Sequence, residues 1–435
     1  MNSYKKLLFF LIPALVVISC DVEDGENLNG ADTASVSSDI SRGELGDAIG
    51  GILADMRRNI ATQVDASAVV GREYWRIQSS DPRWTGDLLT GLLDNNTFYT
   101  TQPFGARYAT VKDVNLVLEG LENTTADFSD AEKSAIRGFV NTIKAHELLS
   151  VLHLQFQNGI RVDVADPNNL GPFVSYTEAL DFLTTLLASA TSDLAAGGTS
   201  FPFALTSGFE AFNSPANFLG FAKAVAARVE LYKGNYPGVL SQLADSFLDL
   251  GGDLNSGAYL TFSLTGVDVA NPLFFALNST VANARIVHPS FVADAEAGDN
   301  RLAKAQLRDT PLTNDNLTGA YDVWVYQSNV APIGIIRNEE LILMYAEAHH
   351  ITNPTEAVNA INVIRNAAGL ANYAGGTAAA DLANEILNQR RYSLFAEGGH
   401  RWIDLRRFDR LADLPLDRTG DGRVTQFPIP QNENQ

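Results

Sequence analysis

Apolar residues recur at helical spacing along most of the chain, and polar capping signals mark where the runs begin. Behind "SRGE" (41–44), Leu45, Ile49, Ile52 and Met56 fall on one face. Ser41 is placed as N-cap and Glu44 as its reciprocal partner, which predicts a helix from residue 41. "VKDVNLVLEGLEN" (111–123) predicts a second helix. "SDAE" (129–132) opens a third, with Ile136, Val140, Ile143 and Leu149 on one side, and "SYTE" (175–178) a fourth, with Leu180, Leu183, Leu187 and Leu194 inward. A fifth starts with Ser214 as N-cap and Pro215 at the first helical position, and ends near Gly234. Two stretches predict helix–turn–helix hairpins of the tetratricopeptide kind. At 222–250, alanines and Leu231/Tyr232 precede a "KGNY" turn and a second amphipathic run. At 338–370, Asn353 caps a second helix with Pro354 behind it, and Gly369 stops it. Small residues at fixed places let paired helices approach closely and stack over a shared core. The expected fold class is therefore mainly α: helical hairpins forming a scaffold.

Two segments break the pattern. In 65–105 ("SSDPRW", "DNNTFYTTQPFG") and 251–335 ("ANPLFFAL", "YDVWVY"), Gly, Asn, Asp and Ser punctuate short apolar runs. They predict an irregular, loop-rich region with short strands, the kind of segment that carries recognition on a rigid scaffold.

The N-terminus changes the setting. Lys5 and Lys6 precede the apolar run "LLFFLIPALVVI" (7–18), which is too short to span about 30 Å of hydrocarbon. Residues 1–19 thus predict a lipoprotein signal peptide. The one cysteine, Cys20, closes "VISC", the pattern of a bacterial lipobox, so Cys20 is expected to be cleaved free and acylated. "DVEDGE" (21–26) resembles the acidic surface-export signal of Bacteroidetes lipoproteins, and residues 20–41 are expected to form a flexible acidic leash. A single cysteine makes no internal disulfide, so burial must hold the fold. The net charge of −20 becomes −22 without Lys5 and Lys6, which gives no electrostatic reason to bind nucleic acid or an anionic membrane.

Candidate chemistry is sparse. "AHELLS" (145–150) nearly makes the zinc motif H-E-x-x-H, but residue 150 is serine, a poor ligand; polar positions on a packed helix are expected instead. "DRTGDGRV" (417–424) has the look of a calcium loop, but the twelfth position would be Pro428 where glutamate is required. An Asp-Gly turn is expected there, with no cofactor and no metal. "HRWIDLRRF" (400–408) places Arg401 or Arg406 to pair with Asp404 or Glu397. No P-loop, G-x-S-x-G elbow or dinucleotide fingerprint occurs. Trp402 reads as structural. Trp75, Trp84 and Trp324 fall in the irregular segments beside polar groups, where an aromatic plane stacks on a sugar's C–H face while Asn, Asp and Arg hold its hydroxyls. With Arg72, Tyr74, Tyr99 and Tyr321, these tryptophans form the candidate ligand-binding set.

Several stretches together carry a family resemblance. "PIGIIRNEELILMYAEA" (332–348), "AVNAINVIRNAAGL" (357–370), "EILNQRRYSLFAEGGHRWIDLRRF" (385–408) and "FPIPQNE" (427–433) are similar to the SusD/RagB family, as are "RYATVKDVNLVLEGL" (107–121), "AARVELYKGNY" (226–236) and "GDNRLA" (298–303). The resemblance implies one SusD-like helical domain over residues 42–435, no catalysis, and a surface lipoprotein anchored in the outer membrane. It also implies a partner, a SusC-like TonB-dependent transporter barrel that receives captured nutrient. The expected ligand is a glycan, and the acidic charge favours a neutral one. Two other functions stay open: a RagB-like peptide- or protein-capturing lipoprotein with a deeper, more polar pocket, and a lipid-anchored glycoside hydrolase.

Overall fold

The computed structural model describes residues 33–266 and 268–434; the predicted signal peptide and Cys20 lie outside them. Among the described residues the helices are α1 (Thr33–Asp39), α2 (Arg42–Asp55), α3 (Ile60–Val70), α4 (Asp87–Thr90), α5 (Phe98–Asn123), α6 (Asp130–Gln155), α7 (Tyr176–Ala196), α8 (Pro215–Tyr232), α9 (Tyr236–Ala244), α10 (Pro289–Ala293), α11 (Asn338–His349), α12 (Pro354–Ala367), α13 (Ala379–Ser393) and α14 (His400–Arg407). The strands are β1 (Tyr74–Ile77), β2 (Ile160–Arg161), β3 (Phe173–Val174), β4 (Gly257–Leu260), β5 (Ala284–Val287), β6 (Ala305–Asn314), β7 (Leu317–Val323) and β8 (Ile333–Arg337). No described helix is long and apolar enough to cross a membrane.

The capping signals act as the sequence predicts. Ser41, Ser129 and Ser175 each close a capping box with Glu44, Glu132 and Glu178. Ser214 and Asn353 cap α8 and α12, each with proline behind it. Helices α5 to α9 pack each on the next, α9 packs on α11, and α11 packs on α12 and α13. The two expected hairpins are α8–α9 and α11–α12. The interior between α6 and α8 is aromatic: Phe139, Phe218 and Phe221 are fully buried, with ring centroids 4.8 and 5.1 Å apart along the series.

Charged groups cross this interior as paired bridges. Arg228 of α8 donates to both oxygens of Glu340 of α11, at 2.8 and 2.6 Å, and to the Ile335 carbonyl at 2.8 Å. Arg390 of α13 donates to Asp404 of α14 at 2.6 Å, and Arg407 joins Asp404 to Glu347 of α11 at 2.8 Å each. Full hydrogen bonding is what makes such buried charge tolerable. Burial pushes the Glu340 carboxyl up, but the adjacent Arg228 guanidinium outweighs it and holds the group down at about 2.

Two expectations are corrected. The leash was placed over 20–41, yet residues 33–39 form α1. Val36 and Ile40, four apart in a polar stretch, are buried against α5. Asp39 accepts from the Thr125 N–H and hydroxyl at 2.6 and 2.8 Å, and clasps the segment. A Cβ on Gly120 would stand 1.9 Å from the Val36 carbonyl oxygen, so the two backbones meet only because residue 120 is glycine. The irregular segment 65–105 is also shorter than predicted, because α3 runs to Val70 and α5 begins at Phe98, with Pro103 inside it. Pro103 lies in the second turn of α5, where its missing N–H costs the helix one backbone bond.

Gly120→Val should expel α1 and weaken the fold by roughly 1–3 kcal/mol, seen as a lower Tm and new proteolytic cuts within 33–41; unchanged Tm and protection would mean that α1 does not need this approach. Glu340→Gln should cost about 3–5 kcal/mol at pH 7, because it leaves Arg228 buried and uncompensated. A carboxyl depressed from 4.5 to about 2 contributes stability that is present above 4.5 and lost as pH falls toward 2. The gap between wild type and Glu340→Gln in denaturant melts should therefore narrow across that window; a pH-independent gap would count against the ion pair.

Candidate carbohydrate-binding surface

The two irregular segments meet in one sheet, ordered β1-β5-β7-β6. β1 pairs antiparallel with β5, with Arg76 opposite Arg285; β5 pairs with β7 through Ile286 and Asp322; β6 and β7 form a hairpin with Leu307 opposite Tyr321. Asp65 of α3 fixes the sheet to the helices. Its carboxylate accepts from Arg285 at 2.6 and 2.7 Å and from the Tyr74 hydroxyl at 2.7 Å, and lies 3.3 Å from Arg76. The aspartate carries one negative charge and the arginines two positive ones. The Phe275 ring supplies further negative potential, with the Arg285 and Arg76 guanidiniums 3.9 and 4.8 Å from its centroid.

Most of the predicted ligand residues are structural. Trp75 is buried, and its indole N–H donates to Asp417 at 3.0 Å. Trp84 is buried against Phe98, with centroids 4.8 Å apart, and donates to Gln78 at 3.2 Å. Arg72 is fully enclosed and donates to the carbonyls of Leu89 at 3.0 Å and Gly422 at 2.7 Å. Tyr74 is spent on Asp65, and Tyr99 donates to Asp87 at 2.8 Å. The polar neighbours that suggested sugar recognition are here the internal partners that buried indole and phenol groups require. Turn chemistry marked irregular backbone correctly, but it does not imply exposure.

Trp324 and Tyr321 remain half-buried. Trp324 differs from the other three tryptophans. Trp75, Trp84 and Trp402 each give their indole N–H to a protein acceptor, whereas that of Trp324 has none among the described residues. Its backbone N–H is held by the Lys304 carbonyl at 2.7 Å, and its ring lies 6.3 Å from that of Phe274, also half-buried. The loop bearing Phe274 is laced to the β6–β7 hairpin. Asp322 accepts from Arg308 and, at 2.6 Å, from the Asn278 backbone; the Asn278 side chain exchanges bonds of 3.0 and 2.9 Å with Asp309; Arg308 donates to the Ser279 carbonyl at 2.7 Å. The result is a half-exposed aromatic pair on fixed backbone, next to a loop rich in polar groups. Phe274, Arg308 and Asp322 escaped the sequence reading because neither phenylalanine nor an Arg–Asp pair is distinctive without the hairpin that brings them together.

A second concavity lies elsewhere. An open cleft of about 890 Å³ runs between the end of α9 and β4, lined by Phe247 and Tyr259 with Glu210, Asp245, Asp249 and Asn255. Four carboxylates, those of Glu210, Asp245, Asp249 and Asp253, stand in its lining.

The remaining motifs resolve into packing. His146 is held down to about 3, first by burial and then by the charges of Arg228 and Arg107. Ser150 donates to the His146 carbonyl at 3.0 Å. In the calcium-like loop, Asp417 is taken by His288 at 2.7 Å and by Trp75, and Asp421 accepts from Arg418 at 2.9 Å. Among the described residues no cluster of His, Cys, Asp and Glu is arranged to hold a metal ion. The pairing expected within 400–408 is corrected: Asp404 takes Arg390 and Arg407, and Glu397 takes Arg337 at 2.9 Å. Arg406 donates to the carbonyls of Thr425 and His153, and Arg401 to that of Arg72.

Similarity to known proteins agrees with this architecture. No curated protein matches the chain in sequence. A SusD superfamily protein from Bacteroides vulgatus superposes with a TM-score of 0.70 at 15% identity, covering 91% of this chain and 96% of that one. One from Parabacteroides distasonis gives 0.66 at 18% identity, covering 91% and 98%. Surface glycan-binding protein A from Bacteroides thetaiotaomicron, in complex with laminarihexaose, gives 0.70 at 15% identity, covering 90% and 97%. The SusD family model matches residues 315–433, the stretch from the β6–β7 turn to the C-terminal tail. The chain thus matches the SusD family model over its C-terminal residues 315–433 and shares the fold of these SusD superfamily structures over nine tenths of its length.

Proposed function

We propose that this protein captures oligosaccharide at the cell surface, anchored in the outer membrane through acylated Cys20, and hands its ligand to a SusC-like TonB-dependent transporter. The observation that carries the ligand class is Trp324, the tryptophan whose ring is half-open and whose indole N–H is unclaimed. A pyranose offers an apolar face to stack on such a ring and a hydroxyl to accept its N–H. The shared fold with a protein seen holding laminarihexaose supports the same class. Binding without catalysis fits the carboxylates beside this ring, since Asp322 and Asp309 are already committed to Arg308 and Asn278. The acidic chain favours a neutral glycan here.

The cleft beside α9 supports a second reading, capture of a peptide, because it is roomy, at about 890 Å³, and lined with Glu210, Asp245 and Asp249. A basic peptide would suit those carboxylates.

A glycan array on the purified protein, followed by calorimetry with the best hit, separates the two. Loss of one stacking contact is worth on the order of 1–2 kcal/mol, so Trp324→Ala should weaken glycan binding roughly tenfold or more while circular dichroism stays unchanged. Tyr259→Ala should leave glycan affinity intact. The opposite pattern would move the site to the cleft, and an array with no hits beside a bound basic peptide would overturn the glycan assignment. Cys20→Ala should abolish lipid labelling and release the protein from the membrane fraction. Wild type should be digested by protease added to intact cells; full protection would refute the surface location.

A further inference from the structure

One pocket on this acidic chain is lined by arginines. It measures about 350 Å³ and lies between α13, α14 and residues 410–413. Arg391, Arg401 and Arg410 line it together with Asn384 and Asn388, and Leu387 and Leu405 supply apolar surface. Two carboxylates share the lining, Asp404 and Asp413. Asp404 is already neutralised by Arg390 and Arg407, and Asp413 is paired with Arg410 at 2.7 Å.

Arg401 is the anomaly. It has no carboxylate within ion-pair distance among the described residues, and its one protein bond runs to the Arg72 carbonyl at 3.1 Å. Arg391 pairs with Asp294 at 2.9 Å, but that carboxylate is 55% exposed, and the Arg391 Nε is buried without an acceptor. The Asn388 side chain makes no hydrogen bond to protein among the described residues. The pocket therefore holds positive charge in excess of its counter-charge, with unused N–H donors and an apolar wall.

We propose that this pocket binds the carboxylate or sulfate group of a small solute, with Arg401 as the main anion contact, Arg410 adding its charge beside Asp413 and Asn384, and Leu387 and Leu405 against the solute's apolar body. Guanidinium donors in a partly desolvated pocket bind planar or tetrahedral oxyanions well, through charge-assisted bonds. The electrostatics agree. Arg401 is held down at about 9, first by burial and then by the neighbouring Arg391 charge, which is the behaviour of a cation short of counter-charge. The carboxyl that acts on it most, Glu73, is pushed up by burial to about 8 and so is largely uncharged at neutral pH. The site is separate from the Trp324 surface, so the two assignments stand or fall independently.

The test is calorimetry on the purified protein at low salt and pH 7, titrating sodium D-glucuronate, sodium sulfate and sodium acetate, with methyl glucoside as the neutral control and chloride matched throughout. At least one oxyanion should bind while methyl glucoside does not. Tighter binding of glucuronate than of acetate and sulfate would assign an acidic sugar; equal affinities would assign a free oxyanion. Removing one charge-assisted contact should weaken binding roughly tenfold in Arg401→Gln, and several-fold in Arg410→Gln, with partial retention in Arg401→Lys. If Arg401→Gln does not fold, Arg410→Gln and Asn388→Ala carry the comparison, since neither residue is fully buried. Absence of binding by all three anions up to about 10 mM, a weak limit on the affinity scale, would overturn the proposal. So would binding of equal strength in wild type and in Arg410→Gln and Asn388→Ala.

Discussion

Everything that the irregular side of the molecule can present rests on one buried aspartate. Asp65 sits on a helix, and the four groups it gathers or faces, Arg285, Arg76, Tyr74 and through them Phe275, belong to strands and loops more than two hundred residues apart in part. β5 meets β7 through one residue pair, Ile286 with Asp322, so backbone pairing alone does little to hold that register. The bidentate bond to Arg285 instead fixes β5, β5 fixes β7, and β7 sets the backbone from which Trp324 projects. The same logic runs through the helical half, where Arg228–Glu340 and the Arg390–Asp404–Arg407–Glu347 chain join elements that apolar packing alone would let slide. Such bridges contribute little net stability, but they penalise every arrangement that separates them.

How much of this was legible depended on the range of the signal. Helix starts are local, and Ser41, Ser129, Ser175 and Asn353 announced theirs within four residues. The helical hairpins followed from spacing and small residues. The family resemblance was readable for the same reason, because its motifs lie on the contiguous C-terminal helices and tail. The site was not local. Trp75 and Trp84 looked like Trp324 in sequence, each in an irregular segment beside polar or charged residues. What separates them is which carboxylate or amide lies against the indole N–H in space: Asp417 from the far end of the chain for Trp75, and Gln78 across a turn for Trp84. Position 33–39 failed in the opposite sense. Its composition is that of a solvated leash, and it becomes a helix because a glycine on α5 leaves room for it.

Arginine behaves here less as a surface charge than as a long-reach hydrogen-bond donor. Arg72, Arg107 and Arg406 each spend their guanidinium on backbone carbonyls at chain turns, and so satisfy acceptors that a buried loop would otherwise leave open. A planar cation with five donors suits that task where lysine would not. It also explains why motif matching misassigned residues 400–408: carbonyl partners leave no trace in sequence.

The last stretch of the chain closes the molecule. The Gly422 carbonyl accepts from Arg72 and its N–H donates to the Leu89 carbonyl; the Val424 carbonyl accepts from Trp402; the Phe427 N–H donates to the Leu154 carbonyl; and the Gln431 N–H donates to that of Asn95. These bonds join the tail to segments that emerge from the ribosome more than three hundred residues earlier, in the case of Arg72, Leu89 and Asn95. Domains ordinarily begin to fold from their N-terminal end during synthesis. Here the acceptors and apolar faces of the N-terminal elements are covered only when the final residues are in place, so the fold of the whole chain is complete only with its C-terminal tail.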